Sequence, residues 1–202
     1  MHLGLDFDNT IVNYDSVFYQ VAKEKNLIPF DLPVSKLAVR DYLREVDQEH
    51  LWTLMQSEVY GSRMMDATPF PGVIESLSLI KKAGVRLTIV SHKTRYPYLG
   101  ERYDLHSAAR EWIHAVLGEN GAGLIDDQDI YFEETKEAKL KRIQSVTCNW
   151  YVDDLPEILT APLFPDNVQR ILFDPHAHHP DLPNCVVLKS WHELNSHVKH
   201  TS

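Results

Sequence analysis

Two aspartates separated by a single residue, Asp6 and Asp8, follow the apolar run Leu3–Leu5 near the start of the chain. Side chains two positions apart on a strand point the same way, so we expect the two carboxylates side by side where the strand opens into a loop. Such neighbours repel each other unless a positive charge lies between them. Mg²⁺ suits the pair, because it binds a few carboxylates together with substrate phosphate oxygens. Loop solvation or a helix cap would also explain two acidic residues here. The rest of the sequence is needed to choose between these interpretations and a metal site.

Polar side chains also end two later predicted strands. Ser91 follows the apolar strand 85–90, and Asp153 and Asp154 follow the strand 149–152. Strands that alternate with helices predict a parallel sheet covered on both faces. Ligands of such sheets bind beyond the carboxyl ends of the strands, so we expect these side chains to lie near the first acidic pair.

A lysine is predicted to reach the same edge of the sheet. Lys136 lies in the first turn of a helix that Thr135 caps, just before the strand that ends in Asp153. Lys139 is the alternative, since it lies three residues later on nearly the same helix face. We prefer Lys136 because it begins the helix and so lies nearer to the strand ends.

The predicted fold is α/β: a Rossmann-like, doubly wound parallel sheet with a small all-helical cap inserted after the first strand. Helical spacing of apolar residues replaces the strand pattern soon after Val12, and the turn-rich segment Thr68–Gly72 marks the return to alternating helices and strands. We therefore assign residues 1–13 and 70–202 to the core domain and residues 14–69 to the cap.

The overall charge excludes several kinds of partner. The 202 residues carry a net charge of −9, and no run of Lys or Arg occurs. This argues against a nucleic acid polymer or an anionic membrane as partner, since both need a basic face. The two cysteines, Cys148 and Cys185, are predicted to be free thiols. With no secretory signal evident, we expect a cytoplasmic protein, whose oligomeric state the sequence leaves open.

The sequence resembles the haloacid dehalogenase (HAD) superfamily of Mg²⁺-dependent phosphohydrolases along its whole length. Asp6–Thr10 matches the first motif of that superfamily, Asp-x-Asp-x-Thr, and Thr88–Ser91 matches the second, an apolar strand that ends in Ser or Thr. Lys136 matches the lone lysine of the third motif, and Val152–Asp154 matches the acidic fourth motif.

The resemblance implies a reaction through an aspartyl-phosphate. Asp6 would attack phosphorus as the nucleophile, and Asp8 would protonate the leaving oxygen and later take a proton from water. Ser91 and Lys136 would bind the phosphoryl oxygens that are not transferred. The implied ligands of Mg²⁺ are Asp6, the backbone carbonyl of Asp8, Asp153 and Asp154. Asp154 has an alternative role, because aspartate often caps a helix and the helix 155–159 follows it.

The resemblance and the small cap together favour a small phosphorylated metabolite as substrate. The segment 92–103 leaves the predicted sheet at the same edge and combines cations with aromatic residues, so we expect His92 and Lys93 to contact substrate. The histidine-rich segment His176–His179 is predicted to be a polar surface loop rather than a metal site. Two other functions stay open: a phosphomutase or phosphotransferase, and a non-catalytic domain that binds phosphoryl ligands.

Overall fold

The computed structural model describes residues 1–119, 123–180 and 182–198. Residues 120–122, 181 and 199–202, which the predicted core domain includes, lie outside the described residues. In the described part the strands are β1 (His2–Leu5), β2 (Val12–Asn13), β3 (Thr68–Pro69), β4 (Arg86–His92), β5 (Ile130–Glu133), β6 (Trp150–Asp153), β7 (Gln169–Phe173) and β8 (Cys185–Leu188). The α-helices there are α1 (Asp15–Glu24), α2 (Lys36–Glu45), α3 (Glu49–Tyr60), α4 (Val73–Lys82), α5 (Leu105–Ile113), α6 (Lys136–Val146), α7 (Pro156–Leu159) and α8 (Trp191–Val198).

The chain divides into two compact units. The first comprises Met1–Ile11, Pro69–Lys93 and Ile113–Ser202, and the second comprises Val12–Thr68 and Thr94–Trp112. The sequence placed residues 94–112 in the core domain, whereas the structure groups them with the helices of the second unit.

The first unit contains a parallel sheet with flanking helices, which confirms the predicted α/β, Rossmann-like fold. Its strand order among the described residues is β5-β4-β1-β6-β7-β8. The order changes direction at β1, because β4 and β5 lie on one side of it and the later strands on the other. In open α/β sheets, a reversal of this kind opens a crevice at the carboxyl ends of the strands.

Helices cover the sheet through an apolar core. Leu140 and Ile143 of α6 pack in one cluster with Val90, Tyr151 and Leu172 from the sheet. The helices α4 and α8 pack against each other, and each also contacts a strand of the sheet. Burial of this apolar surface is the main force that fixes the strand ends relative to one another.

The second unit is a helical bundle with an aromatic core. The helices α1, α2 and α3 of this unit pack against one another. Phe18 stacks on Trp52 with ring centroids 4.4 Å apart. The segment 94–112 is held to these helices by the Ser57 hydroxyl, which donates to the Glu101 carbonyl (2.8 Å). None of the helices in the described residues combines the length and the apolar character that crossing a membrane requires.

Candidate active site

The register of the sheet brings the predicted residues of three strands together. Leu5 of β1 pairs with Ile89 of β4 and with Val152 of β6. Asp6, Ser91 and Asp153 follow these partners by one or two residues, so they meet at one edge of the first unit. All three are buried.

Asp6 is at the centre of the cluster. Its backbone N–H donates to the Val152 carbonyl (2.8 Å), which extends the pairing of β1 with β6 by one residue. Its Oδ1 accepts a hydrogen bond from the Ser91 hydroxyl (2.8 Å) and another from the Lys139 ammonium (2.6 Å). One carboxylate oxygen is therefore fixed by two donors on neighbouring elements.

The lysine of the cluster is Lys139, which corrects the preference for Lys136. Lys139 is 1% exposed, and its Nζ lies 2.6 Å from both Asp6 Oδ1 and Asp153 Oδ2. Lys136 instead forms an exposed ion pair with Glu157. Side chains on a helix point back toward its N-terminus, so a lysine in the first turn extends past the sheet edge, whereas one three residues later reaches it.

Burial and charge act on Lys139 and Asp153 in opposite directions. Burial alone would lower the pKa of the Lys139 ammonium, but the charges of Asp153 and Asp6 raise it above its ordinary value. Burial raises the pKa of the Asp153 carboxyl, the charge of Lys139 opposes this, and the charge of Asp6 adds to the rise. The structure therefore holds two mutually repelling carboxylates on one buried ammonium.

Asp154 lies in the cluster and does not cap α7. The N-cap residue of that helix is Leu155, and its N–H donates to Asp153 Oδ1 (2.9 Å) rather than to Asp154. The buried Thr10 hydroxyl lies 3.4 Å from both Asp6 Oδ2 and Asp154 Oδ1, and it can donate to either. Thr10 thus links the two acidic strand ends.

The acidic group fits a magnesium ion. Asp6, Asp153 and Asp154 each offer an oxygen, and these oxygens lie within 4.8 Å of one another. The group contains neither sulfur nor imidazole, and such an all-oxygen donor set suits Mg²⁺ or Ca²⁺ better than a transition metal. Burial and the nearby charge of Asp6 raise the pKa of the Asp153 carboxyl. Carboxylates crowded together out of water favour a cation or a proton between them, so this shift agrees with a cation site.

Asp8 is directed to a different partner from the one expected. Both of its oxygens lie 2.9 Å from Lys93 Nζ. The strand β1 ends at Leu5, and Asn9 takes a left-handed backbone conformation (φ 58°), so strand alternation does not govern the direction of the Asp8 side chain. The contribution of its backbone carbonyl to a metal site stays a prediction.

The two predicted substrate residues separate at the end of β4. The ring of His92 is within hydrogen-bonding distance (3.2 Å) of the Glu134 carbonyl. Lys93 is buried, and it contacts Asp8. Sequence reasoning missed this ion pair, although a lysine two residues after Ser91, at the carboxyl ends of the strands, was a signal for it.

The cysteines and the histidine-rich segment agree with the simpler interpretations. Cys148 is buried, Cys185 is partly buried, and both are free thiols. The backbone N–H groups of His178 and His179 donate to the buried carboxylate of Asp174 (both 2.9 Å), so that segment is a turn anchored by an aspartate.

Comparisons with known proteins find a distant relative and solved structures of similar fold. No protein-family model matches the chain. A Bacillus cereus protein provisionally named a nucleotidase is 23% identical, and the match spans 98% of both chains. A HAD family hydrolase from Deinococcus radiodurans, solved with bound phosphate and sodium, matches the structure with a TM-score of 0.59 and 16% identity. That match covers 98% of this chain and 94% of the other.

A further structural match holds magnesium. It is a protein from Bacillus subtilis, provisionally named a HAD hydrolase and solved with bound magnesium. The TM-score is 0.55 at 12% identity, and the match covers 98% of each chain. The chain described here therefore has the fold of these HAD superfamily hydrolases over 98% of its length.

Proposed function

We propose that the protein is a Mg²⁺-dependent phosphatase that hydrolyses a small phosphorylated metabolite through an aspartyl-phosphate on Asp6. The observation that carries this proposal is the contact of Asp6 with both Ser91 and Lys139 at the carboxyl ends of the strands. A carboxylate held by a hydroxyl and a buried ammonium, beside two further carboxylates, is the arrangement that phosphoryl transfer needs.

Asp6 and Asp8 divide the chemistry between them. An oxygen of Asp6 attacks phosphorus, and the bond from phosphorus to the leaving oxygen breaks while Asp8 supplies a proton to that oxygen. Water then attacks the phosphorus of the aspartyl-phosphate, Asp8 takes a proton from the water, and the bond to Asp6 breaks. Inorganic phosphate leaves, and Asp8 is protonated again for the next substrate.

Ser91 and Lys139 bind the oxygens that stay on phosphorus. The Lys139 ammonium lies 2.6 Å from Oδ1 of Asp6, so it is positioned to neutralise charge that develops beside the attacking oxygen. Donors placed where charge develops act strongly in a buried site because little water screens them. In this proposal Lys139 takes the role that the sequence assigned to Lys136.

Asp6, Asp153 and Asp154 would hold Mg²⁺, together with the backbone carbonyl of Asp8. When bound, the ion neutralises charge on the phosphoryl oxygens and orients the group for in-line attack. The Thr10 hydroxyl lies within hydrogen-bonding distance of Asp6 and Asp154, so it helps to hold these two carboxylates in place.

The name of one relative guides the choice of substrates. The Bacillus cereus relative is provisionally named a nucleotidase, so nucleoside monophosphates come first in a substrate panel. Sugar phosphates and phospho-alcohols belong in the same panel, because nothing in the cluster around Asp6 discriminates between leaving groups.

The test is phosphate release from this panel with Mg²⁺ and with EDTA, for the wild type and for Asp6→Asn. We expect Mg²⁺-dependent release that Asp6→Asn abolishes. Asp166→Asn is the matched control, since Asp166 is fully exposed and pairs loosely with Arg170 (3.5 Å). Equal inactivity of the wild type and Asp6→Asn on every compound would overturn the proposal. Release that requires an added acceptor would point to a phosphotransferase.

A further inference from the structure

We propose that Lys93 is a positioning residue for the second step, in which it holds Asp8 as the base that activates water against the aspartyl-phosphate. The inference rests on the proposed function, in which Asp6 carries the phosphoryl group and Asp8 moves protons. It goes beyond that function by giving Lys93 a role in one step only, and it replaces the expectation that Lys93 contacts substrate.

Lys93 is fixed at both ends of its side chain. Its backbone N–H donates to the Glu133 carbonyl (2.9 Å), which continues the pairing of β4 with β5 beyond the end of β4. Its ammonium lies 2.9 Å from each oxygen of Asp8 and 5.7 Å from the centre of the Phe7 ring. Lys93 is 4% exposed, so it has little freedom to turn away.

The contact orients the whole Asp8 carboxylate. Because the ammonium lies 2.9 Å from both oxygens, it restrains the position of the group relative to Lys93 at the end of β4. The side chain of Asp8 remains 21% exposed, so water can reach it. Each carboxylate oxygen has two lone pairs, so an ammonium that bridges the two oxygens uses only part of their capacity to accept hydrogen bonds.

This arrangement matches the base step better than the acid step. As a base, Asp8 enters the step as a carboxylate paired with Lys93, and the proton from water goes to one of its oxygens. As an acid, it must already carry a proton next to the ammonium. The hydrolysis of the phospho-enzyme therefore uses the observed contact directly, and its loss should slow that step most.

The closing experiment separates positioning from substrate contact. The variants are Lys93→Met, Lys93→Arg and, as a matched control, Lys136→Met, which removes an exposed lysine paired with Glu157. The probe is p-nitrophenyl phosphate with Mg²⁺, followed by stopped flow and at steady state. Lys93→Met should lower kcat by about 10- to 100-fold, the scale of an active-site misplacement of about 1 Å.

The expected kinetic signature is accumulation of phospho-enzyme. Lys93→Met should release a burst of about one nitrophenolate per enzyme before the slow phase, with an unchanged or lower KM. Lys93→Arg should recover most of the rate, because a guanidinium can also bridge a carboxylate. A raised KM with unchanged kcat, a fall in kcat without a burst, or a change smaller than twofold would each overturn the proposal.

A double variant keeps the test valid if Lys93→Met is poorly folded. In an Asp8→Asn background, Lys93→Met should change phospho-enzyme hydrolysis by less than about twofold, because a residue that acts through Asp8 has nothing left to position. An equal loss in both backgrounds would overturn the proposal. If the wild type shows no Mg²⁺-dependent turnover, the proposed function is refuted and this inference with it. If the wild type turns over and Lys93→Met has the same kcat, the inference alone is refuted.

Discussion

Replacing the buried lysine of the cluster should cost far more than replacing the exposed one. Lys139→Met keeps the length of the side chain but removes an ammonium that lies 2.6 Å from both Asp6 and Asp153. Loss of one preorganised donor typically costs about 10²–10³ in kcat, or about 2.7–4 kcal/mol. Lys136→Met removes only a surface pair, whose typical contribution is about 0–1 kcal/mol.

Stability should follow the same order. Breaking a buried ion pair by removing one partner typically costs about 3–5 kcal/mol, because the remaining charges stay buried. We therefore expect Lys139→Met to be destabilised by about this amount in EDTA. The loss should be smaller in Mg²⁺, since a cation bound by Asp6 and Asp153 would replace part of the missing charge and would bind only the folded state.

Two measurements check these expectations. Phosphate release with Mg²⁺ gives kcat for both variants, and urea unfolding followed by tryptophan fluorescence gives stability with and without Mg²⁺. The reasoning would be refuted if Lys136→Met lost as much activity as Lys139→Met. It would also be refuted if Lys139→Met kept more than about a third of the wild-type kcat, because the contacts described above would then be irrelevant to turnover.

Two further predictions concern stability. Gly4→Ala places a Cβ 2.7 Å from Cδ2 of the buried Tyr151, so urea unfolding should show a loss of about 1–3 kcal/mol, whereas Gly118→Ala, with no atom within 4 Å of its Cβ, should show much less. A similar loss in both glycine variants would contradict this. Burial alone would raise the pKa of the Asp174 carboxyl, but two backbone N–H groups hold it below its usual value. The stabilisation by the ionised carboxylate is therefore complete above the ordinary aspartate pKa of about 4, and it disappears as the pH falls through the lower pKa of the folded state. The melting temperature of Asp174→Asn should be lower than that of the wild type at pH 6. Below about pH 4 it should also depend less on pH than the melting temperature of the wild type. If the melting temperatures of the two proteins changed in parallel with pH down to pH 2.5, the Asp174 carboxylate would not contribute to stability.

The acidic strand ends could be predicted because a parallel sheet imposes its geometry on any sequence that forms it. Asp6, Ser91 and Asp153 needed only the three strands to be recognised, since parallel strands align their carboxyl ends at one edge. The choice between Lys136 and Lys139 needed more. Both lie on nearly the same face of α6, so helical phase could not separate them. Their different positions along the helix axis determine which lysine reaches Asp6, and those positions depend on how α6 packs on the sheet.

The direction of the Asp8 side chain could not be predicted from strand alternation, for a related reason. The argument that Asp6 and Asp8 point the same way assumes that the strand continues through both, whereas β1 ends at Leu5. Beyond that point the backbone turns, and the Ile11 N–H donates to the Phe7 carbonyl (3.0 Å). Once the strand has ended, side-chain direction is set by the partner that the fold offers, and strand alternation does not indicate that partner.

The segment after β4 illustrates the same limit over a longer distance. Its cations and aromatic residues indicated a functional loop, and the assignment of residues 70–202 to the core domain placed it with the sheet. Instead the Trp112 indole N–H donates to the Ala67 carbonyl (2.8 Å) and the Ser57 hydroxyl to the Glu101 carbonyl (2.8 Å), partners more than 40 residues away. Each of these contacts pairs an ordinary backbone carbonyl with a side-chain donor, and any carbonyl in the chain could serve as the acceptor. Local pattern can therefore identify such a segment as unusual, but only the packed fold decides which unit it joins.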